Sequence, residues 1–143
     1  MAQATGLASS LAYLLSAAER SVNRGLAAAL AGEDLGIEQW RILRALADGR
    51  GHSMGELAAA VLMPHPTLTK AVDRLIDRAL VYRGPSAGDR RRVAVFLGDR
   101  GADALTRVEG AVAEHQREIE AAFGRERTEE LMRALEELAG VLP

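Results

Sequence analysis

Gly88-Asp89-Arg90-Arg91-Arg92-Val93-Ala94-Val95-Phe96-Leu97-Gly98 decides the reading of this chain, because three adjacent arginines run directly into an alternating apolar strand. Along an extended backbone Arg92, Ala94 and Phe96 face one way and Val93, Val95 and Leu97 the other, so the guanidinium groups stand where a strand leaves a turn. Immediately upstream, Gly84-Pro85-Ser86-Ala87-Gly88 is rich in residues that break regular structure, and Ala79-Leu80-Val81-Tyr82-Arg83 is a second short apolar run. Together the three pieces predict one β-hairpin with a basic tip.

Working outward toward the N-terminus, Met63-Pro64-His65-Pro66-Thr67-Leu68-Thr69-Lys70 predicts a helix starting near residue 65, since proline fits a first turn whose amides lack intrahelical partners. Leu68, Ala71, Val72, Leu75 and Ile76 form its apolar face; Thr67, Thr69, Lys70, Asp73, Arg74, Asp77 and Arg78 lie outside. Those four outer Asp and Arg residues also have a plainer reading, pairing with one another along an exposed face. Ser53 followed by Glu56 predicts a capping box that opens a short helix through Leu57, Ala58 and Val61. The stretch from Ile37 to Ala47, ended by Asp48-Gly49-Arg50-Gly51, predicts another helix, with Trp40 expected in the core, a place from which it can also line a ligand pocket. Apolar steps of three and four predict long amphipathic helices from Leu7 to about Leu30 and through Leu105, Val108, Val112, Ile119 and Phe123. A last helix follows Gly124 through Leu131, Leu135, Leu138 and Leu142.

At 143 residues, with 48% hydrophobic and 27% charged residues, one folded unit is expected, and the 3% aromatic content leaves Ala, Leu and Val to fill its core. Neither a membrane-length apolar run nor a secretory leader is evident, so the expected location is cytoplasmic. The absence of cysteine excludes disulfides, thiolate zinc sites and thiol redox chemistry. His52, His65 and His115 are scattered, with only Glu114, His115 and Glu118 close in sequence, so neither metal nor cofactor is expected. His52 beside Ser53 lacks a third orienting group and there is no glycine-rich phosphate loop; no catalytic residues and no enzyme are expected. Charge, although nearly balanced overall, is segregated: residues 64–100 hold eight bases against four acids, and residues 101–143 ten acids against five bases. A polyanion is attracted to the middle of the chain and repelled by its end.

Two short helices, the second with a polar outer face, followed by a basic-tipped hairpin, form the order of a winged helix-turn-helix. A major groove admits one helix, and an arginine on a loop reaches the neighbouring minor groove. In Asp73-Arg74-Leu75, Leu80-Val81-Tyr82-Arg83, Asp89-Arg90-Arg91 and Val93 to Leu97 ahead of Gly101, the chain resembles the MarR family of bacterial transcription regulators, and the likeness runs over nearly its whole length. The resemblance implies a mainly α fold with a small β-hairpin wing: one domain over residues 1–143, dimerisation helices at 7–31 and 99–143, and a winged helix-turn-helix at 37–98. It further implies a homodimer that binds double-stranded DNA at a pseudo-palindromic operator, its recognition helices roughly 34 Å apart. Apolar stripes on both terminal helical regions agree, since one small domain cannot cover them.

By the same likeness His65, Thr67, Thr69, Lys70 and Arg74 lie along the recognition helix, Arg91 enters the minor groove, and Arg90 and Arg92 meet phosphate, with Asp89 orienting Arg91. A repressor released by a phenolic or other aromatic effector is expected; the residues of its pocket are not assigned. The alternative is a winged-helix protein-interaction module that has lost DNA binding, consistent with Pro64 and Pro66 removing amide donors at the recognition-helix start. Ala79 stands where the family has glycine, a left-handed position that would cost alanine about 1 kcal/mol, so a different helix end is expected there; Gly98 replaces the family's usual threonine, which leaves Asp99 as the expected cap of the following helix.

Overall fold

The computed structural model describes residues 4–143. Helix α1 spans Leu11–Leu30 and begins where the Ser10 hydroxyl accepts the Tyr13 amide at 3.4 Å. The sequence predicts this helix from Leu7; instead Ala4–Ser9 forms a 3-10 helix, with Gly6 at φ 64° and Ser10 extended, so the chain bends before α1 starts. A 3-10 turn at Ala31–Glu33 leads to α2, Ile37–Ala45, which ends two residues early because Ala47 donates to Arg44, tightening the last turn. Helix α3, Met54–Val61, opens on the expected capping box: Ser53 Oγ accepts the Glu56 amide at 3.1 Å and Glu56 Oε1 accepts the Ser53 amide at 3.2 Å.

Helix α4 spans His65–Asp77 and packs Leu68, Ala71, Val72 and Leu75 inward. The turns at either end of α4 use residues with side chains in the left-handed region: Leu62 and Ala79, both at φ 60°. Ala79 thus keeps the left-handed turn in spite of its Cβ, and the different helix end expected there is not found. Leu62 is 85% exposed and gains no packing in return for its strain. Leu62→Gly and Ala79→Gly are each expected to stabilise the fold by about 0.5–1 kcal/mol in urea unfolding, the relief of left-handed strain exceeding the added chain entropy of glycine.

Strands β1, Val81–Pro85, and β2, Val93–Leu97, pair antiparallel with Val81 opposite Leu97 and Pro85 opposite Val93. Gly84 and Pro85, read from sequence as turn, therefore lie in β1; the loop is residues 86–92, closed by the Ser86 amide on the Arg92 carbonyl at 2.8 Å. A proline at the end of an edge strand removes no needed ladder bond. The backbone of His52 exchanges hydrogen bonds with Val95 at 3.0 and 2.8 Å, so the segment before α3 sews the hairpin to the helices. Gly51, at φ +75°, makes this possible, because any Cβ there would fall on the Phe96 ring.

Helix α5 spans Asp99–Phe123 and α6 Arg125–Val141. Gly98, not Asp99, is the cap of α5: its amide is held by the Leu80 carbonyl at 2.9 Å and its own carbonyl takes the first helical bond, leaving Asp99 as the first helical residue facing the positive helix end. The core joins Leu30, Ile42, Leu43, Leu46, Leu57, Leu68, Val72, Leu75 and Val95 from α1 to β2, all essentially inaccessible, and α5 closes it through Ala104 and Val108. His115 sits on Gly25 and makes a 3.0 Å hydrogen bond with the Val22 carbonyl, locking α5 against α1.

The terminal helices lack such a core. On α6 only Thr128 is buried, its hydroxyl donating to the Gly124 carbonyl at 2.7 Å. Leu11 and Leu14 of α1, Phe123 of α5, and Leu131, Met132 and Leu135 of α6 are exposed. Among the described residues no helix is long and apolar enough to cross a membrane.

Candidate nucleic-acid interface

The buried side of α4 fixes what its other side shows. His65, Pro66, Thr67, Thr69, Lys70, Asp73 and Arg74 are all exposed. The helical period places Pro66, Lys70, Asp73 and Asp77 along the middle of the outward arc, with Thr67 and Arg74 on one flank and Thr69 on the other. The Thr69 hydroxyl donates to the His65 carbonyl at 3.0 Å. Arg74 lies along the groove between α4 and the start of α2, beside Gly36 and Gln39.

The plainer reading of the outer charges does not hold: among the described residues none of Asp73, Arg74, Asp77 and Arg78 pairs within its own helix. Asp73 instead accepts from Arg83 of β1 at 2.8 Å. Arg78 donates to the Asp34 and Glu33 carbonyls at 2.8 and 3.3 Å, satisfying the end of the turn after α1. An exposed pair such as Asp73–Arg83 contributes little to global stability, but it ties the hairpin to α4. Sequence reading missed both of these bonds. A lone arginine on a short strand beside an outward aspartate was the only signal for the first, and nothing local signalled the second.

At the hairpin tip the side chains of Arg91 and Arg92 are 93% and 82% exposed, and Arg90 is exposed as well. Asp89 Oδ1 accepts the Arg91 amide at 3.0 Å and lies 3.5 Å from Arg91 Nε, while Oδ2 lies 3.9 Å from Arg92 Nε. One carboxylate thus braces the loop backbone and two guanidinium groups, more than the single contact to Arg91 expected of it. Below the tip Tyr82 stacks on Phe96 at 5.3 Å between ring centres, stiffening the hairpin stem.

At the base of the hairpin, His52 Nε2 lies 2.8 Å from Asp48 Oδ2 and Nδ1 lies 3.6 Å from Glu56 Oε2. The Asp48 carboxyl is held below the usual carboxylate range chiefly by the Arg50 amide and then by His52; that of Glu56 is lowered first by the Ser53 amide. Both groups have a folded pKa depressed below the unfolded value. Their stabilisation is therefore full above the unfolded carboxylate range, near pH 4, and is lost as pH falls through the folded value. Melting temperature is expected to drop less between pH 5 and pH 3 in Glu56→Gln than in the unsubstituted chain, as followed by circular dichroism.

Between α2 and α5, at the end of β2, opens a cavity of about 570 Å³ walled by Trp40, Leu97, Leu105 and Val112, with Arg44, Thr106, Glu109 and Gln116 as its polar groups. Trp40 is half-buried here: it packs against the core, as its sequence reading has it, and also stands in the cavity wall. Arg44, one turn beyond Trp40, went unnoticed in the sequence, although its i, i+4 spacing could have marked it.

The sequence profile of the MarR family matches residues 33–92, which spans α2, α3, α4 and the hairpin through Arg92. The chain is 32% identical over 100 residues to the homoprotocatechuate degradative operon repressor of Escherichia coli, covering 70% of this chain and 68% of that protein. The transcriptional repressor CouR, solved bound to a 23-mer DNA duplex, superposes with a TM-score of 0.86 at 26% identity, over 97% of this chain and 99% of that one. NadR in complex with 4-hydroxyphenylacetate superposes with a TM-score of 0.79 at 29% identity, over 93% and 94% of the two chains. With its basic hairpin, the exposed outer face of α4 and terminal helices in the family's order, the chain belongs to the MarR family of transcription regulators.

Proposed function

We propose that this chain is a cytoplasmic, sequence-specific transcriptional repressor that holds a pseudo-palindromic operator as a homodimer and releases it on binding an aromatic acid. The observation that carries the DNA reading is the exposure of Arg90, Arg91 and Arg92 on a hairpin tied to the outward face of α4 by Asp73–Arg83. The helix offers Thr67, Thr69, Lys70 and Arg74 to the major groove, with His65 at its start, and Arg91 to the adjacent minor groove; Arg90 and Arg92 reach phosphate. The winged part is residues 37–98. The regions 7–31 and 99–143 supply the dimer contact, which their exposed Leu11, Leu14, Leu131 and Leu135 support, because such a surface is stable only when covered.

The cavity between α2 and α5 suits the effector. Trp40, Leu105 and Val112 offer an apolar wall for a ring, and Arg44 a cation for its carboxylate. Because α2 packs against both α4 and α5, an occupant that separates α2 from α5 shifts the recognition helix relative to the dimer contact.

Fluorescence anisotropy with duplexes from the region upstream of the chain's own gene tests the first half. Two protomers each neutralising about three phosphates give log Kd against log salt a slope magnitude of about 5. Binding that is absent or insensitive to salt overturns the reading in favour of a protein-interaction module. For the second half, 4-hydroxyphenylacetate and related aromatic acids are expected to release bound DNA, and Arg44→Ala to blunt release by about ten-fold in effector concentration while leaving DNA affinity within two-fold of the parent.

A further inference from the structure

We infer that the leading edge of α4 selects thymine through its 5-methyl group, with Pro66 as the specificity-determining residue; this rests on the DNA-binding reading above. Pro66 is exposed at the middle of the outward arc, one turn ahead of Lys70 and opposite the buried Leu68, Ala71, Val72 and Leu75. Its ring has neither amide proton nor hydroxyl, so it offers a base edge only methylene groups. Pro64, the residue before the helix, is likewise exposed and without an amide proton, and Leu62 is 85% exposed. Thr69 has committed its hydroxyl proton to the His65 carbonyl at 3.0 Å, which leaves its methyl and oxygen lone pairs for a partner. Between the exposed donors of His65 and Thr67, the middle of the arc therefore begins with an apolar ring where a base-reading helix would ordinarily carry a hydrogen-bond donor.

Residues early in a recognition helix are those that meet base edges. Of the groups displayed in the major groove, the thymine methyl is the one that an apolar side chain recognises. Lys70 and Arg74 follow on the same exposed face, where Asp73 is paired with Arg83 of the arginine-bearing hairpin and Asp77 stays exposed, and the arginines of that hairpin favour a duplex as the occupant. Affinity then comes from the flanking cations, and discrimination at the Pro66 step from desolvating a methyl group that cytosine lacks.

The test begins with duplexes selected by the intact protein from a random pool. Single thymines in each half-site are then replaced by deoxyuridine, which removes the methyl and nothing else. One thymine per half-site is expected to weaken binding by about four-fold when replaced, the effect of one buried methyl. Pro66→Ser restores an amide proton and adds a hydroxyl, and it is expected to bind the thymine and deoxyuridine duplexes equally. Equal binding of the two duplexes by the unsubstituted protein overturns the inference and leaves DNA binding standing; failure to select any duplex overturns the DNA reading itself. A methyl effect that persists in folded Pro66→Ser overturns the role of Pro66. Should that variant not fold by circular dichroism, Pro66→Gly, which also removes the ring, takes its place with the same expected and overturning results.

Discussion

Arg91→Ala is expected to weaken operator binding by about 100-fold at moderate salt, since the proposed twofold assembly would lose two minor-groove contacts of about 1–3 kcal/mol each. The side chain is 93% exposed, with its amide held by Asp89 at 3.0 Å, so truncation removes no packing and leaves the loop backbone braced. Melting temperature is accordingly expected to stay within a degree or two of the parent, and anisotropy titration should show the entire change in affinity. Arg90→Ala and Arg92→Ala supply the contrast. As phosphate contacts they are expected to lower affinity about equally for operator and random duplex and to flatten the salt slope, whereas Arg91→Ala should cost more on operator. Equal losses on both duplexes for Arg91→Ala would remove it from the sequence-reading set and leave it a phosphate contact.

The largest expected loss of stability belongs to Gly101→Ala. A Cβ at residue 101 falls against the Leu80 carbonyl oxygen and within 2.7 Å of Leu97 Cδ1. The obstructing atom is backbone, already engaged by the Gly98 amide at 2.9 Å, so it cannot swing aside as a flexible side chain would. Helix α5 must lift from the hairpin instead, and the expected cost is about 3 kcal/mol in urea unfolding, a large share of the stability of a small domain. Gly110→Ala in the same helix meets nothing within 4 Å. It is expected to be stabilising by up to about 1 kcal/mol, the helix propensity difference alone. A Gly101→Ala protein as stable as Gly110→Ala would show that the first turn of α5 does not need its close approach to Leu80.

The helix starts were legible wherever a local device sets them. The Ser53–Glu56 box and the prolines at the start of α4 act over three or four residues, and the structure keeps both. The misplaced boundaries have equally local causes that composition hides. Gly6 and Ser10 bend the chain ahead of α1, and Pro85 is tolerated as an edge-strand end although its dipeptide with Gly84 reads as a turn. Asp99 can cap α5 through its side chain; Gly98 does so instead because the Leu80 carbonyl, just ahead of β1, holds its amide there, a contact that is not local.

Sequence by itself determined the order of the elements, the apolar faces that build the core, and the arginine-bearing loop, since each is written in periods of two or 3.6 residues and in turn chemistry. Only the tertiary structure decided which charges remain outward. Arg83 closes on Asp73 across ten residues and Arg78 on Asp34 across 44, while Arg74 and Arg90 to Arg92 stay exposed. Packing brings those partners together over separations that no local period encodes. The surface offered to a duplex is therefore fixed by the fold as a whole.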